Sequence, residues 1–377
     1  MKNFIPVNRP LLYGNEIKLL GESIKKGWIS GNGPYVKSFE DLFAKKLEKK
    51  YAISTTNGSS ALEIAINSLG LKKNSYVMVS NLTIVSCLNA ILRNGLKPIF
   101  VDVNVDDYNI CIDDFKKKIS SKVKALILPH TYGLCSDIDT LKKFKKKFNF
   151  KVIEDCAESL GAKYKNKYVG YFGDISTFSF YSNKLITCGE GGMILTNNSK
   201  YANECKKLKN LYFGKKNRFK HDKISSNFRL SSLQAAFGIA QLKNFDKNVK
   251  LKKKIGSFYN KNLANFKFLK LAPTKQKYSS NIYWVYPLVI KRYGKINKTH
   301  FTKFLQSQGI ATRDFFYPLN IQPILKDKSK QNLKKTNAYF LFKNGLYIPS
   351  GLGNTFNEFR RVVVAIKKYD KLYYSSS

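Results

Sequence analysis

Three segments of this chain place reactive or phosphate-binding groups beside a turn. The first reads TTNGSSALEIAINSLG (55–70), where a strand-like run passes through a Gly-Ser-Ser turn into an amphipathic helix. Free backbone N–H groups at a helix start suit a phosphate, and the hydroxyls of Ser59 and Ser60 could add to them. An ordinary serine cap has the same sequence, so this segment alone leaves both interpretations open.

The second segment, VIEDCAES (152–159), is a strand-like run that ends in Glu154 and Asp155. An acidic residue at such a strand end can bind a ribose hydroxyl, a metal ion or a protonated ring nitrogen. No GxGxxG turn follows the first strand, which argues against a dinucleotide, and no Asp/His cluster lies nearby to complete a metal site. We therefore predict no metal ion and a cationic ring nitrogen as the partner of the carboxylate.

The third segment, STFSFYSNKLITCGEGG (176–192), is a strand-like run followed by Lys184 and three glycines. Glycines here let the chain pass close to a bulky group. A phosphate cradle, an acid for a pyridine nitrogen and a lysine able to form an imine are together what pyridoxal 5′-phosphate (PLP) requires. The three segments, each at a predicted strand end, therefore predict PLP as the cofactor.

The hydrophobic periodicity up to residue 200 predicts alternating strands and helices, and hence a largely parallel sheet covered on both faces. Strands are predicted at 51–55, 75–80, 98–103, 124–129, 151–156, 175–180 and 192–197. Helices are predicted at 59–69, 84–94, 113–119 and 137–148. Later elements are a long helical region (231–264), a strand (282–290), a helix (298–308) and a terminal helix near 355–369. We predict a large PLP-binding α/β domain, which includes the N-terminal helices, and a small C-terminal α+β domain, at 1–250 and 251–377.

The phrase EDCAESLGA, followed by GDISTFSFYSNKLITCGEGGM, closely resembles the DegT/StrS family of PLP-dependent sugar aminotransferases. The resemblance runs nearly end to end, through TNGSSALEIA (56–65), SNFRLSSLQAAFGIAQL (226–242) and GIATRDFFYPL (309–319). It implies a fold-type-I PLP aminotransferase, in which a large domain with a mostly parallel mixed sheet carries a smaller C-terminal α+β domain.

The resemblance also implies a role for each matching residue. Lys184 would hold PLP as a Schiff base and move the proton in catalysis. Asp155 would pair with the pyridinium nitrogen, and Glu158 would lie near the ring hydroxyl. The residues implied to hold the phosphate are Gly58, Ser59, Ser179 and, from the partner subunit of a homodimer with shared active sites, Asn227.

For the substrates, the resemblance implies L-glutamate as amino donor and a nucleotide-linked 4-keto-6-deoxy sugar as acceptor, as in surface polysaccharide biosynthesis. Arg229 and Arg313 are candidates for binding anionic groups, and Tyr317 for lining the sugar pocket. Perosamine-type members of the family tend to have His where this chain has Asn320. A changed pocket residue alters specificity, so a smaller phosphorylated or otherwise modified ketone is the second hypothesis.

Some side chains near these segments have more than one interpretation. His130, at a strand end, could contact the site or be a satisfied structural histidine, whereas Trp28 and Trp284 are interpreted as packing residues. The family usually has an aromatic residue near VSNLTIVS (79–86) that stacks on the cofactor ring, and this chain has no aromatic residue there, with aliphatic Leu82 and Ile84 instead.

The bulk composition favours an enzyme over other classes. The net charge of +42 suggests a nucleic-acid-binding protein as a rival, but only eight of the 67 basic residues are arginine, and the lysines are scattered over helix faces. We therefore expect no nucleic-acid partner. The six cysteines form no CxxC pair, the start of the chain has no long apolar segment, and the longest apolar run (282–290) is too short for a bilayer. These features predict a cytoplasmic protein with no membrane partner.

Overall fold

The computed structural model describes residues 4–214, 217–291, 297–325 and 335–374. The helices in these residues are α1 (Asn15–Lys25), α2 (Pro34–Lys46), α3 (Gly58–Ser68), α4 (Ser86–Arg93), α5 (Ile112–Lys118), α6 (Ile138–Phe148), α7 (Ser199–Leu208), α8 (Ser232–Leu242), α9 (Phe245–Leu263), α10 (Lys298–Ser307), α11 (Asn337–Asn344) and α12 (Phe356–Tyr373). The strands are β1 (Tyr51–Thr55), β2 (Tyr76–Ser80), β3 (Lys97–Val101), β4 (Val123–Pro129), β5 (Lys151–Asp155), β6 (Lys163–Tyr164), β7 (Lys167–Tyr168), β8 (Ile175–Ser179), β9 (Gly192–Thr196), β10 (Leu269–Lys270), β11 (Lys275–Gln276), β12 (Ser279–Ser280), β13 (Tyr286–Ile290), β14 (Arg313–Asp314) and β15 (Gly345–Ile348).

A seven-stranded sheet in the order β1-β9-β8-β5-β4-β2-β3 forms the centre of the molecule. All its neighbouring pairs are parallel except the two made by β9, which runs antiparallel to β1 and to β8. The carboxyl ends of the other six strands therefore lie at one edge of the sheet, where ligands of such sheets bind. The predicted mostly parallel α/β sheet is confirmed.

Apolar side chains fill both faces of this sheet, as its nearly continuous hydrophobic strands require. On one face, Phe39 and Phe43 of α2 pack with Phe178 and Phe180. On the other, α3, α4 and α7 pack on the isoleucines of β1, β5, β8 and β9. Helices on both faces hold the strand ends, and the loops that follow them, in fixed positions.

A second sheet, β10-β13-β15-β14, packs with α9, α10 and α12 around a separate core. The predicted strand at 282–290 is shorter than expected, since Tyr283 has a φ of 54° and the strand begins at Tyr286. Helix α9 contributes Phe245 to the core of the large sheet and Ile255 to the second core. The domain boundary near residue 250 stays a prediction. None of the helices in the described ranges is long and apolar enough to span a membrane.

Candidate active site

The loops that follow β1, β5 and β8 border a cleft of about 580 Å³ at the carboxyl edge of the large sheet. Residues from all three sequence segments line it, together with residues from the second sheet and the segment that leads into it. The lining includes Asn57, Gly58, Ser59, Ile84, Ser86, Asp155, Glu158, Ser179, Tyr181, Asn183, Lys184, Glu190, Trp284, Arg313, Phe316 and Tyr347.

The start of α3 forms one end of the cleft. Asn57 caps this helix by accepting the backbone N–H of Ser60 at 2.8 Å, and the Ser60 hydroxyl bonds back to Asn57. The Ser60 side chain is therefore part of the helix cap, and of the two serines only Ser59 lines the cleft. A Cβ on Gly58 would lie 2.8 Å from the Cβ of Ser179, closer than two such atoms can approach, so glycine is needed there. The predicted phosphate residues Gly58, Ser59 and Ser179 are thus together.

Asp155 ends β5 and is buried at the base of the cleft. Its carboxylate accepts the backbone N–H of Ala157 at 3.1 Å and the thiol of Cys87 at 3.3 Å. Burial raises the pKa of Asp155, while these two hydrogen bonds and the charge of Lys184 act against that rise. A cation beside the carboxylate would favour its charged form, so the position suits a protonated ring nitrogen.

Lys184 lies half-buried on the cleft wall and interacts electrostatically with Glu158 and Asp155. The loss of water around the amine lowers the pKa of Lys184 to about 8, although both carboxylates act in the opposite direction. Burial raises the pKa of Glu158 to about 7, although Lys184 and the N–H of Tyr132, which it accepts at 3.1 Å, favour its charged form. An amine with this pKa is suited to taking up and returning a proton near neutral pH.

Trp284 is buried, as expected of a packing residue, but it also contacts Lys184. The Lys184 Nζ lies 3.8 Å from the centroid of the Trp284 ring. At the place where the family usually has an aromatic residue, the exposed Ile84 lines the cleft.

The four predicted substrate residues do not all lie together. Arg313, on β14, lines the cleft and interacts electrostatically with the buried Tyr347. Tyr317 is 41% exposed and packs edge-on against Phe342, away from the cleft lining. Asn320 is buried beside the loop after β2, where its backbone N–H donates to Asn81, and it does not line the cleft.

Asn227 and Arg229 lie outside the cleft lining of their own chain. The exposed Asn227 accepts the backbone N–H of Arg229 at 3.3 Å. The Arg229 guanidinium donates to Asn210, on the segment after α7. The role of Asn227 in a partner's site stays a prediction.

His130 belongs to a buried structural cluster behind the site. Its Nε2 lies 3.0 Å from Glu154 Oε1, and within the described residues these two and Cys156 form a group compatible with a metal ion. The sequence does not reveal this cluster, because His130 and Cys156 come together only through the pairing of β4 with β5. The carboxylate of Glu154 also accepts three backbone N–H groups, those of Gly170, Phe172 and Gly173. Burial raises the pKa of the Cys156 thiol, which disfavours the thiolate form that binds a metal ion.

Sequence reasoning missed several residues of the site. Asn57 carried a usable signal, because asparagine is a favoured helix cap and directly precedes the glycine turn. No sequence signal pointed to the other missed residues, since each reaches the site from an element distant in sequence. They are Cys87, Trp284 and Tyr347. All six cysteines are free.

The sequence and the fold both match known aminotransferases. Residues 11–367 match the DegT/DnrJ/EryC1/StrS aminotransferase family. The chain is 34% identical over 366 residues to the GDP-perosamine synthase of Vibrio cholerae, covering 97% of this chain and 99% of that relative. It is 36% identical over 347 residues to the GDP-perosamine synthase of Escherichia coli O157:H7, covering 92% and 93%. Helicobacter pylori PseC, an aminotransferase involved in the biosynthesis of pseudoaminic acid, has a similar structure, with a TM-score of 0.91 at 22% identity over 98% of this chain and 100% of that one.

Proposed function

This chain belongs to the DegT/DnrJ/EryC1/StrS aminotransferase family and is a PLP-dependent sugar aminotransferase, and on that premise we propose that it transfers the amino group of L-glutamate to the C4 keto group of a nucleotide-linked 4-keto-6-deoxy sugar. The observation that carries the proposal is the Lys184 amine, which lies on the cleft wall within the electrostatic reach of Asp155 and Glu158. The similarity to two GDP-perosamine synthases supports a GDP-linked sugar as the acceptor.

The residues of the cleft fit PLP. A volume of about 580 Å³ accommodates the cofactor together with a substrate. The first turn of α3 offers backbone N–H groups to a phosphate, beside Ser59 and Ser179, and a side chain in place of Gly58 would crowd Ser179. Asp155 offers a buried carboxylate to a pyridinium nitrogen, and Lys184 offers an amine for covalent attachment.

When bound, PLP supplies an electron sink that stabilises negative charge on the carbon atom of the donor. With PLP bound, Lys184 Nζ would accept the proton from the α carbon of L-glutamate and deliver it to the C4′ carbon of the cofactor in the same half of the transfer. Its pKa of about 8 makes this exchange feasible near neutral pH. Asp155 lies at the base of the cleft, where two hydrogen bonds fix the direction of its carboxylate and a cationic ring nitrogen would favour its charged form.

The extent of the site supports a large acceptor over a small ketone, and its charge supports an anionic acceptor. A second cavity of about 310 Å³ shares Tyr181, Asn183, Arg313 and Tyr347 with the cleft, so the site extends beyond the space around Lys184. The Arg313 guanidinium, exposed at this junction, can bind a carboxylate or a phosphate. The net charge of +42 also favours the approach of an anionic nucleotide sugar.

We further propose a homodimer in which Asn227 completes the partner's phosphate site. Asn227 is exposed and does not line the cleft of its own chain, although it matches the family segment SNFRLSS. A residue that acts across an interface is expected to have this placement.

The proposal is tested with protein whose cofactor has been converted to its amino form by L-glutamate. After removal of the donor, the protein is mixed with GDP- and other nucleotide-linked 4-keto-6-deoxy sugars and with phosphorylated ketones, and the return of the PLP absorbance is followed. We expect the fastest return with a nucleotide-linked sugar. Faster return with a phosphorylated ketone than with any of the nucleotide-linked sugars would refute the proposed acceptor and leave the aminotransferase activity intact.

Residue 320 is tested in the same assay. If Asn320 contacts the acceptor, Asn320→His changes the ratio of kcat/KM between the nucleotide-linked sugars and the phosphorylated ketones by about ten- to a hundredfold. An unchanged ratio would remove this residue from the substrate site, in keeping with its place outside the cleft lining.

A further inference from the structure

Trp284 contacts two consecutive residues of the lysine segment. The indole Nε1–H donates to the backbone carbonyl of Asn183 at 3.0 Å. The Nζ of Lys184 lies 3.8 Å from the centroid of the same ring. The ring of Tyr132 lies nearly parallel to the indole, at 6.3 Å and 25° between planes, and Trp284 is 5% exposed, so the indole has a fixed orientation.

We propose that Trp284 is a positioning residue that holds the Lys184 side chain whenever its amine is free, with the ammonium group against the indole face. The proposal rests on the role of Lys184 proposed above and deepens it. Lys184 must have a free amine while it moves a proton, and a four-carbon side chain could then adopt many rotamers. The ring face fixes the end of that side chain, and the N–H···O bond fixes the backbone beside it. Trp284 exchanges no proton, since its single N–H is already donated.

The ring also affects the charge of the amine. An ammonium group over an indole face is stabilised, more so where water is excluded, so Trp284 raises the pKa of Lys184 against the lowering caused by burial. We expect this contribution to be about one pKa unit. The other charged groups around the amine are carboxylates and cations that line the cleft or the small cavity behind Lys184: Asp155, Glu158, Glu190, Asp314, Arg313, Arg9 and Lys252.

The test lowers the electron density of the Trp284 ring and leaves the shape of the ring nearly unaltered. The chain has only two tryptophans, and Trp28 is 43% exposed, so Trp28→Phe leaves Trp284 as the only one. The Trp28→Phe protein is produced in four forms, which contain tryptophan, monofluorotryptophan, difluorotryptophan or tetrafluorotryptophan at position 284. Fluorine withdraws electrons from the ring face and weakens its attraction for a cation. In the protein freed of PLP, the rate of acetylation of Lys184 is measured against pH by peptide mass spectrometry, with the 72% exposed Lys37 as internal reference.

We expect the midpoint of Lys184 labelling to fall stepwise with fluorine content, by up to about one pKa unit, while Lys37 labelling stays constant. A second readout is the ¹⁹F resonance of Trp284, which should titrate with the Lys184 midpoint and lose that titration in Lys184→Met. An unchanged midpoint across the series, or a ¹⁹F titration that persists in Lys184→Met, would overturn the proposal. Because neither measurement uses PLP or substrate, a failure of the proposed acceptor would leave both results intact.

Discussion

Replacing Glu158 by glutamine should remove the part of the pH dependence of the free energy of unfolding that comes from this carboxyl. Burial raises the pKa of this carboxyl from 4.5 to about 7. Between these values the folded protein keeps a proton on Glu158 that the unfolded chain releases, so the free energy of unfolding falls as the pH rises through this window. At 1.36 kcal/mol per pKa unit, the loss is about 3 kcal/mol and is complete above pH 7. The glutamine side chain cannot titrate, but its amide oxygen can still accept the N–H of Tyr132.

The assay is urea denaturation of the PLP-free protein between pH 4.5 and 8, at one protein concentration, for wild type and Glu158→Gln. The difference between the two free energies of unfolding should change by about 3 kcal/mol, with the wild type relatively more stable at the acidic end. Glu190→Gln is the matched control, because it makes the same substitution at an exposed residue that lines the same cleft. A pH-independent difference for Glu158→Gln would refute the reasoning.

Four further outcomes are expected. Borohydride reduction followed by peptide mapping should locate the cofactor on Lys184, and a label on any other lysine would contradict its assignment. Asp155→Asn should keep much of the PLP but slow the half-reaction with L-glutamate by about a hundredfold, because a neutral amide stabilises a cationic ring nitrogen poorly; a near wild-type rate would mean that another group has this role. Gly58→Ala should weaken PLP binding by about tenfold, measured by fluorescence titration, because its Cβ would lie 2.8 Å from a serine Cβ; an unchanged affinity would show that this contact relaxes at no cost. Mixing inactive Lys184→Ala and Asn227→Ala subunits should restore activity through hybrid dimers with one intact site, and no gain after verified subunit exchange would count against shared sites.

The strand-end residues could be predicted because their placement follows from local signals and one rule of topology. Alternating apolar runs gave most strand bounds to within about two residues, and the carboxyl ends of parallel strands meet at one edge. Asp155 ends β5, Ser179 ends β8, and Gly58 begins the helix after β1. Their convergence needed no knowledge of side-chain contacts.

The substrate residues were harder to place. Arg313 reaches the cleft because β14 pairs with β15, a pairing of short strands that periodicity does not reveal. Tyr317 belongs to the same matching segment as Arg313, and Asn320 follows that segment directly, yet the irregular chain after β14 places both away from the cleft lining. Adjacency in a motif does not fix the direction of a side chain in an irregular segment.

The sequence by itself therefore determined the family, the fold class and the order of the PLP residues along the chain, because these depend on local patterns and motifs. Only the tertiary structure placed Cys87 against Asp155 and Trp284 against Lys184. These pairs are separated by long stretches of chain, and they meet through the order of the strands and the docking of the second sheet. The shifted pKa values of Glu158 and Lys184 likewise depend on how much water the folded chain excludes, which no local pattern specifies.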